Sequence, residues 1–513
     1  MSGVGTTLTV APVGIGGELV RVEAHRSSGL PSFQVVGLPD AALRESKQRV
    51  RAAISSAGLP WAEQRYTVNL SPADLPKSGS GFDLAIAAAL LASQSGREIE
   101  EMDRRVHIGE LGLDGSARPV RGILPMVAAA RDAGITEVVV PARCVKEAAL
   151  VGGIKVIAVA DLAELAALYA LGEGRSSPPY APPSRPVETP STSAPDLADV
   201  RGQSEARYGL EVAAAGGHHV FFLGEPGTGK TMLAQRLPTI LPLLTDDDAV
   251  TVTSIHSLIA HHGLDELIRT PPWVAPHHSA TMPAMVGGGS GLVRPGAVSL
   301  AHAGVLFLDE APEFAPSVLD ALRQPLESGR IQIQRARAVT DYPARFQLVM
   351  AANPCPCGAA THSAECRCTP YQRQRYLQRL SGPLMDRIDI TCLVERPSAR
   401  ELSSDEPAES SQCVRERVEE ARRRAAHRWK DESWNLNSQV PGSYLHRSSL
   451  VPPHLRRRII SLLTQGRISM RGIDRMLRVA LSIADLAGDE RVSEEHLARA
   501  YTLRTTESHH DVW

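Results

Sequence analysis

The segment GEPGTGKT, residues 224–231, fits the pattern Gly-x-x-x-x-Gly-Lys-Ser/Thr at every fixed position. It follows the apolar run HHVFFLG, which predicts a strand, and it precedes TMLAQRL, which predicts a helix. A glycine loop in this setting closes its backbone N–H groups around phosphates at the positive end of the helix. The lysine reaches the β- and γ-phosphates, and the hydroxyl after it holds Mg²⁺. We therefore expect an ATP site made by Gly224, Glu225, Pro226, Gly227, Thr228, Gly229, Lys230 and Thr231.

The run VLFLDE, residues 305–310, supplies the acidic half of such a site. An apolar strand that ends in Asp-Glu places Asp309 on the Mg²⁺ side and leaves Glu310 to polarise the attacking water. The alternative is a core strand followed by a solvated acidic turn, and the phosphate-loop motif upstream disfavours it. Apolar strands alternate with helical stretches through this region, which predicts an α/β fold with a parallel sheet between helical layers.

The chain divides into several predicted units, because 513 residues are too many for one core. A Pro- and Ser-rich segment over residues 173–197 reads as a semi-rigid linker. We expect a mixed α+β unit at residues 1–172 before it, the P-loop core at 198–397 after it, and an arginine-rich helical unit at 398–513.

Composition excludes several classes of protein. A formal net charge of −2 gives no global basic field, so any contact with nucleic acid must be local. The N-terminus lacks the pattern of a signal peptide, and no apolar run approaches the roughly 20 residues that span a bilayer. Seven cysteines in such a chain suggest reduced thiols that are available as metal ligands. We expect a soluble cytoplasmic protein without a membrane contact.

Several longer segments resemble the magnesium-chelatase-like AAA+ ATPases, and more narrowly their YifB/ComM branch. They are RGQSEARYGLEVAAAGGHHVFFLGEPGTGKTMLAQRLPTILP, APHHSATMPAMVGGG, RPGAVSLAHAGVLFLDEAPEF and LRQPLESGRIQIQRA. The resemblance covers nearly the whole chain and implies an AAA+ core of αβα type with a C-terminal helical lid domain. It also implies a homo-oligomer, a hexameric ring with ATP sites between subunits. The branch's activity as a DNA helicase in branch migration implies DNA as a partner, together with recombination or uptake proteins.

The same resemblance assigns three further polar residues to the ATP site. Asn353, at the end of the strand FQLVMAA, falls where these ATPases keep a sensor of the γ-phosphate. Arg387 in GPLMDRIDI takes the position of the arginine finger that enters the neighbouring subunit's site, and Arg471 is the second sensor. Arg475 and Arg478 lie on the same helix face as Arg471, and for these two we prefer a solvated basic stripe over a functional role.

The first 172 residues resemble the ATP-dependent Lon proteases, whose fold is of the ribosomal-S5-domain-2 type. That protease needs a serine nucleophile activated by a lysine. The nucleophile position holds Gly81 and the lysine position holds Leu124, so both members of the dyad are missing. Ser80 and Lys77 are nearby but do not occupy the motif positions. We interpret this unit as a scaffold or a DNA-handling ring.

Four cysteines immediately follow the sensor asparagine, at Cys355, Cys357, Cys366 and Cys368. Four thiolates are suited to a closed, tetrahedral structural Zn²⁺ site. The single-residue spacers weaken this hypothesis, since two-residue spacers are commoner, and His362 offers a substitute ligand. The alternative is a loop whose cysteines pack together or serve redox chemistry.

Contact with DNA is predicted at a hairpin between the acidic strand and the sensor strand. The alternation in RIQIQR and ARAV places Arg335 and Arg337 near its tip, where they would meet phosphates without reading sequence. The glycine run over residues 286–291 offers a second pore loop, and a solvated hairpin with incidental arginines is the alternative. An ATP-driven DNA motor is our first interpretation. A chelatase-type motor that remodels a partner protein comes second, and an ATP-dependent protease third.

Overall fold

The computed structural model describes most of the 513-residue chain. The described residues are 3–37, 41–75, 77, 79–96, 98–176, 195–260, 264–289, 293–335, 338–357, 366–398, 401, 408–466 and 468–504. Their side chains are described as well, except at positions 41, 42, 44, 335, 338 and 339.

The first unit is a mixed α/β layer structure around one seven-stranded sheet. Its strands are β1 (Gly3–Val13), β2 (Gly16–Ser27), β3 (Ser32–Val36), β4 (Arg65–Ser71), β5 (Arg105–His107), β6 (Glu110–Leu111), β7 (Ala117–Arg118), β8 (Glu137–Pro141) and β9 (Lys155–Val159). They lie in the order β3-β4-β2-β1-β5-β8-β9, with β6 and β7 forming a separate short hairpin. Its helices are Ala41–Ser56, Asp83–Ser95, Glu100–Arg104, Ile123–Asp132, Val145–Ala149 and Leu162–Leu168.

The helix Asp83–Ser95 forms the centre of this unit, because its sequence is apolar on all sides and residues 83–93 are all buried. β1 crosses it at very close range. A Cβ on Gly5 would lie 2.2 Å from the carbonyl oxygen of Ala89, so only glycine permits the strand to approach. The helix ends at Gly96, whose φ of 68° is a left-handed cap.

The second unit contains a five-stranded, all-parallel sheet. Its strands are β10 (Val220–Leu223), β11 (Trp273–Val274), β14 (Val305–Leu308), β17 (Gln347–Ala352) and β18 (Ile390–Leu393), in the order β11-β14-β17-β10-β18. Two hairpins stand outside this sheet and pair β12 (Gly287–Gly288) with β13 (Arg294–Pro295), and β15 (Arg330–Arg335) with β16 (Ala338–Pro343). The helices are Ser204–Gly216, Lys230–Ile240, Asp246–Ser257, Met282–Val286, Ala297–Leu300, Pro316–Ala321, Arg323–Ser328, Pro370–Leu377 and Gly382–Met385.

The sequence of these central strands explains why they form a parallel sheet. β14 and β17 are buried at every position, as expected for strands that are covered on both faces by helices. All five strands point the same way, so their carboxyl ends form one edge of the sheet and their amino ends form the other. Residues that follow β10, β14 and β17 are thereby brought together.

The C-terminal part is helical, as expected. Its helices are Ser411–Arg428, Gly442–Leu445, Pro453–Thr464, Met470–Ala487 and Glu494–Thr502. They share a hydrophobic core with the P-loop unit, in which the fully buried Leu210 and Leu481 belong to the same cluster. Arg417 also pairs with Glu211 at 2.6 Å across the two parts. The unit boundary expected near residue 397 therefore stays a prediction, because one core runs through it.

The first unit is also tied to the P-loop unit. Gly122 donates its N–H to the carbonyl of Ser257 at 3.1 Å, and Glu147 accepts hydrogen bonds from the Ser257 hydroxyl and from the N–H of Leu264. Burial raises the pKa of Glu147, because a charged carboxylate is costly in this interface. Within the described residues, no helix combines the length and the apolar character that a membrane span requires.

Candidate nucleotide site

The phosphate-loop motif follows β10 and leads into the helix Lys230–Ile240, as predicted. Gly227 and Gly229 have φ angles of 76° and 94°, which side chains rarely tolerate. Lys230 is nearly buried, and its ammonium donates to the carbonyls of Gly224 at 2.7 Å and Glu225 at 2.8 Å. Burial lowers its pKa, and the acidic groups around it oppose that shift.

Asn353 meets Lys230 at the carboxyl edge of the sheet. The lysine Nζ lies 3.0 Å from Asn353 Oδ1, although the two residues are far apart in sequence. They converge because β10 and β17 are neighbouring parallel strands. A cationic group and an amide are thus available to the same phosphate.

Thr231 and Asp309 bring two oxygen ligands together. The hydroxyl of Thr231 donates to Asp309 Oδ2 at 2.8 Å. Mg²⁺ binds oxygen at about 2.0–2.1 Å in octahedral geometry, which puts adjacent ligand oxygens about 2.9 Å apart. The pair therefore fits the ion that the motif predicts.

Glu310 is held in an unusual backbone conformation beside a histidine that the sequence analysis did not single out. Its φ of 49° is left-handed, and its N–H donates to Asp309 Oδ1 at 3.0 Å. His278 Nδ1 lies 3.7 Å from Glu310 Oε2, and the ring of His277 packs against the ring of His278. The carboxylate of Glu310 is half exposed, so it is accessible to water. Strained backbone of this kind is common where a side chain must be aimed.

A second residue missed from the sequence is Gln203. Its side-chain amide donates to the carbonyl of Thr228 at 2.7 Å, inside the phosphate loop, and to the carbonyl of Glu395 at 2.8 Å, just after β18. Its own φ is 61°. The two bonds fix the loop against the neighbouring strand. Its only signal in the sequence was its place before the helix Ser204–Gly216.

The two predicted sensor and finger arginines lie together, but at the other edge of the sheet. Arg387 precedes β18, which starts at the amino edge, whereas Lys230 and Asn353 follow strands at the carboxyl edge. Arg471 Nη1 donates to Asp386 Oδ2 at 3.0 Å and so lies beside Arg387. Burial lowers the pKa of Arg387, and the like charges of Arg323 and Arg471 lower it further. Among the described contacts, none joins Arg387 or Arg471 to the phosphate loop.

Arg475 and Arg478 are not a solvated stripe, and that expectation was wrong. Arg475 donates to the carbonyl of Ile388 at 3.1 Å, and Arg478 donates to the carbonyl of Val440 at 2.7 Å. Both side chains are partly buried, Arg475 against the P-loop unit and Arg478 within the C-terminal helical part. Their contacts are structural.

The four cysteine sulfur atoms after Asn353 form a cluster. All lie within 4.8 Å of one another, with Cys355 and Cys357 at 2.8 Å and Cys355 and Cys366 at 3.5 Å. A tetrahedral Zn²⁺ with bonds of about 2.3 Å separates its sulfur ligands by about 3.8 Å, so the cluster has the right size. Burial raises the pKa of Cys355 to about 12, and the neighbouring thiols add to this. Cys368 completes the set, and His362 lies outside the described residues.

The predicted hairpin is present as β15 and β16, with Arg335 opposite Ala338 in the register. Arg337 and the side chain of Arg335 lie outside the described residues. The glycine run contributes β12, and a Cβ on Gly287 would lie 2.7 Å from the side chain of Ile333. The second predicted pore loop therefore packs against the first hairpin, with residues 290–292 outside the described part.

The two dyad positions of the first unit carry no catalytic group. Gly81 has no side chain, and Leu124 is fully buried. Ser80 donates instead to Glu110, and the buried Lys77 donates to the carbonyl of Pro72. Within the described residues these two side chains have separate partners, so they do not replace the dyad.

Comparisons with known proteins match this architecture along the chain. The family model of the magnesium chelatase subunit ChlI matches residues 196–402, a second ChlI model matches residues 22–144, and the ChlI C-terminal model matches residues 408–504. The chain is 48% identical over 503 residues to the uncharacterized protein Rv2897c of Mycobacterium tuberculosis, covering 98% of this chain and 99% of that one.

Two further relatives cover nearly the whole chain. The uncharacterized protein YifB of Escherichia coli is 40% identical over 502 residues, and the competence protein ComM of Haemophilus influenzae is 39% identical over 500 residues. These alignments cover 97% and 96% of this chain, and 96% of each relative. A shorter match, 30% identical over 147 residues, joins the chain to the Lon protease of Mycolicibacterium smegmatis and covers 28% of this chain and 18% of that protease.

Proposed function

The chain belongs to the YifB/ComM family of magnesium-chelatase-like proteins, and on this premise we propose that it is an AAA+ ATPase that drives movement along DNA. The observation that carries the ATPase part is the convergence of Lys230, Asp309, Glu310 and Asn353 at one edge of the parallel sheet. Each of these residue types is suited to a role in the transfer of a phosphoryl group to water.

Each side chain of this set has its own role in the proposed hydrolysis. The loop N–H groups and Lys230 bind the phosphates, and Asn353 orients the γ-phosphate. Glu310 accepts a hydrogen bond from the attacking water and increases its nucleophilicity. Thr231 and Asp309 would hold Mg²⁺, which supplies positive charge to the phosphate oxygens when it is bound.

Arg387 and Arg471 complete the site from a neighbouring subunit. Both are at the amino edge of their own sheet, on the far side from their own phosphate loop. Guanidinium groups stabilise the charge that develops on the transferred phosphoryl group. An ATP site shared between subunits favours a ring, and a hexamer is the form that we propose for it.

DNA is the proposed track, and the β15–β16 hairpin is its proposed contact. The hairpin stands outside the main sheet, and the glycine-rich β12–β13 hairpin packs beside it. Arg335 and Arg337 lie at its tip in the sequence and would bind phosphates. The likeness to a competence protein supports a role in the uptake of DNA. The activity that we propose within uptake or recombination of DNA is that of a branch-migration helicase.

The Cys355 cluster is proposed to hold one structural Zn²⁺ per chain. It begins two residues after Asn353, so a bound ion would fix the segment that leaves the γ-phosphate sensor. The size of the cluster supports this, because all four sulfur atoms are already within reach of one ion.

A chelatase-type motor that remodels a protein partner is the second candidate. The ChlI models that match all three parts of the chain favour it. Measuring the ATPase rate with and without single-stranded or forked DNA separates the two. Stimulation by DNA supports the first candidate, and a rate that responds only to a protein partner supports the second. The missing dyad at Gly81 and Leu124 disfavours an ATP-dependent protease.

A further inference from the structure

Arg387 is held by a carboxylate from the helix that leads into the β15–β16 hairpin. Glu327 forms an ion pair with the Nη2 atom of Arg387, and Nη1 donates to the carbonyl of Pro383. The Nε atom is buried and has no hydrogen-bond partner within the described part of the chain. Glu327 is therefore the carboxylate that neutralises this guanidinium among the described contacts.

The charges around Arg387 make this carboxylate important. Arg323 and Arg471 place two more positive charges near it, and both lower the pKa of Arg387. Arg471 is paired with Asp386, but Asp386 does not reach Arg387 in the described contacts. Glu327 thus occupies the place that another anion would take beside these arginines.

Glu327 is the more exposed partner of this ion pair. Its side chain is 65% exposed, whereas that of Arg387 is 16% exposed. Exchange of the carboxylate for a phosphate can therefore proceed by movement of Glu327, with Arg387 staying in place. Carboxylates and phosphates compete for the same face of a guanidinium group.

Glu327 is also connected directly to the hairpin. The helix Arg323–Ser328 ends at Gly329, whose φ is 65°, and β15 begins at the next residue. The N–H of Ala344, just after β16, donates to the carbonyl of Gly329 at 2.8 Å. Both strands of the hairpin are thereby attached to the end of this helix, so a displacement of the hairpin shifts Glu327.

We propose that Glu327 restrains Arg387 and that movement of the hairpin on DNA releases this arginine to the neighbour's ATP. The inference rests on the proposed functions of Arg387 in the adjacent site and of the hairpin on DNA. Glu327 is a positioning residue in this scheme, since it acts through Arg387. DNA bound by one subunit would thus promote hydrolysis in the next.

The variant Glu327→Gln tests the restraint, because it keeps the shape of the side chain and removes its charge. We expect the DNA-free ATPase rate to rise by up to about fivefold, the upper end of what partly exposed ion pairs supply. The ratio of the DNA-stimulated rate to the DNA-free rate should fall close to 1, and the KM for ATP should stay unchanged. Asp320→Asn is the matched control. Asp320 accepts a hydrogen bond from Ser381 at 3.1 Å, near the same arginine segment, without contacting Arg387.

Rings mixed from two variants test which of the two subunits at an ATP site must carry Glu327→Gln for the rate to rise. Subunits with Arg387→Ala bind ATP but lack the finger, and subunits with Lys230→Ala supply the finger but do not bind ATP. Adding Glu327→Gln to the Lys230→Ala subunits should raise the DNA-free rate of the mixture by up to about fivefold. Adding it to the Arg387→Ala subunits should have no effect.

Two results would overturn the inference. One is an equal fall of the DNA-free and DNA-stimulated rates in Glu327→Gln rings, which would make Glu327 a support for Arg387. The other is an acceleration that follows Glu327→Gln in the Arg387→Ala subunits. Failure of the proposed DNA function is distinguishable, because the wild-type rate would then not respond to DNA, while the DNA-free rates would still test the restraint.

Discussion

Arg471 donates a hydrogen bond to Asp386 at 3.0 Å and so lies beside the segment that carries Arg387. This contact joins the C-terminal helix Met470–Ala487 to the residues just before β18. Because β18 starts at the amino edge of the parallel sheet, both arginines lie opposite the edge that holds Lys230. A second sensor that acted on its own subunit's ATP would have to reach the carboxyl edge instead.

We predict that Arg471 acts on the neighbour's ATP, as Arg387 does. Arg471→Ala and Arg387→Ala rings should each bind ATP but lose hydrolysis, by about 10³-fold for the finger. When equal amounts of Arg471→Ala and Lys230→Ala subunits assemble at random, about a quarter of the interfaces should combine an intact ATP site with an intact Arg471 and regain activity. The ATPase rate across mixing ratios measures this.

A matched control for this mixing experiment is Arg457→Ala, which removes an exposed arginine from the helix Pro453–Thr464. It should hydrolyse ATP at the wild-type rate. If Arg471→Ala mixtures stayed inactive while Arg387→Ala mixtures recovered, Arg471 would serve its own subunit.

Variants at Lys230 and Glu310 should distinguish loss of ATP binding from loss of ATP hydrolysis. Lys230→Ala should abolish nucleotide binding, because the phosphates lose their cationic partner. Glu310→Gln should bind ATP with unchanged affinity and hydrolyse it about 10²- to 10⁴-fold more slowly, because the water loses its base. Glu313→Gln is the control, since Glu313 pairs with Arg379 at 3.1 Å. Wild-type turnover by Glu310→Gln would assign the base elsewhere.

The phosphate side of the site was predictable because its signals are local. A glycine loop between a strand and a helix, and apolar strands that end in Asp309 and Asn353, need no knowledge of distant contacts. The parallel sheet then brings the strand ends together, as Lys230 and Asn353 demonstrate at 3.0 Å. The expected hairpin was equally local, because β15 and β16 are adjacent in the chain.

The contacts that tune the site were not predictable, because they join residues that are distant in sequence. No sequence pattern near Glu310 predicts its contact with His278, and none near Arg387 predicts its ion pair with Glu327. The face of Arg475 and Arg478 reads as solvated, yet both cations donate to backbone carbonyls of other elements. Arginine spacing defines a helix face but does not tell which neighbour covers it.

The cysteine cluster should contain about one Zn²⁺ per chain, because four thiolates within 4.8 Å can share one tetrahedral ion. Elemental analysis of protein purified without a metal-affinity tag measures it. Cys357→Ser should lose the metal, and Cys413→Ser, which changes an exposed cysteine outside the cluster, should keep it. A folded, active wild-type protein without zinc would leave the packing or redox explanation for these thiols.

The last prediction concerns the tip of the β15–β16 hairpin, where Arg335 and Arg337 are expected to meet phosphates. Replacing both with alanine should weaken binding of single-stranded DNA equally across sequences, because phosphate contacts carry no sequence information. The slope of log affinity against log salt should become less steep by about 1.4, since two fewer charges release counterions. ATP binding and ring assembly should persist, because the hairpin lies outside the nucleotide site.

A double variant of the same charge controls for bulk electrostatics. Arg457→Ala with Arg491→Ala removes two exposed arginines of the C-terminal helical part, and it should leave DNA affinity and its salt dependence unchanged. DNA-stimulated ATPase and strand displacement should fall together in the hairpin variant, because both depend on the contact between the hairpin and DNA. Unchanged DNA affinity in that variant would move the contact to another surface, with the first unit as the next place to look. A wild-type protein that does not bind DNA, and whose ATPase responds instead to a protein partner, would favour the chelatase-type motor.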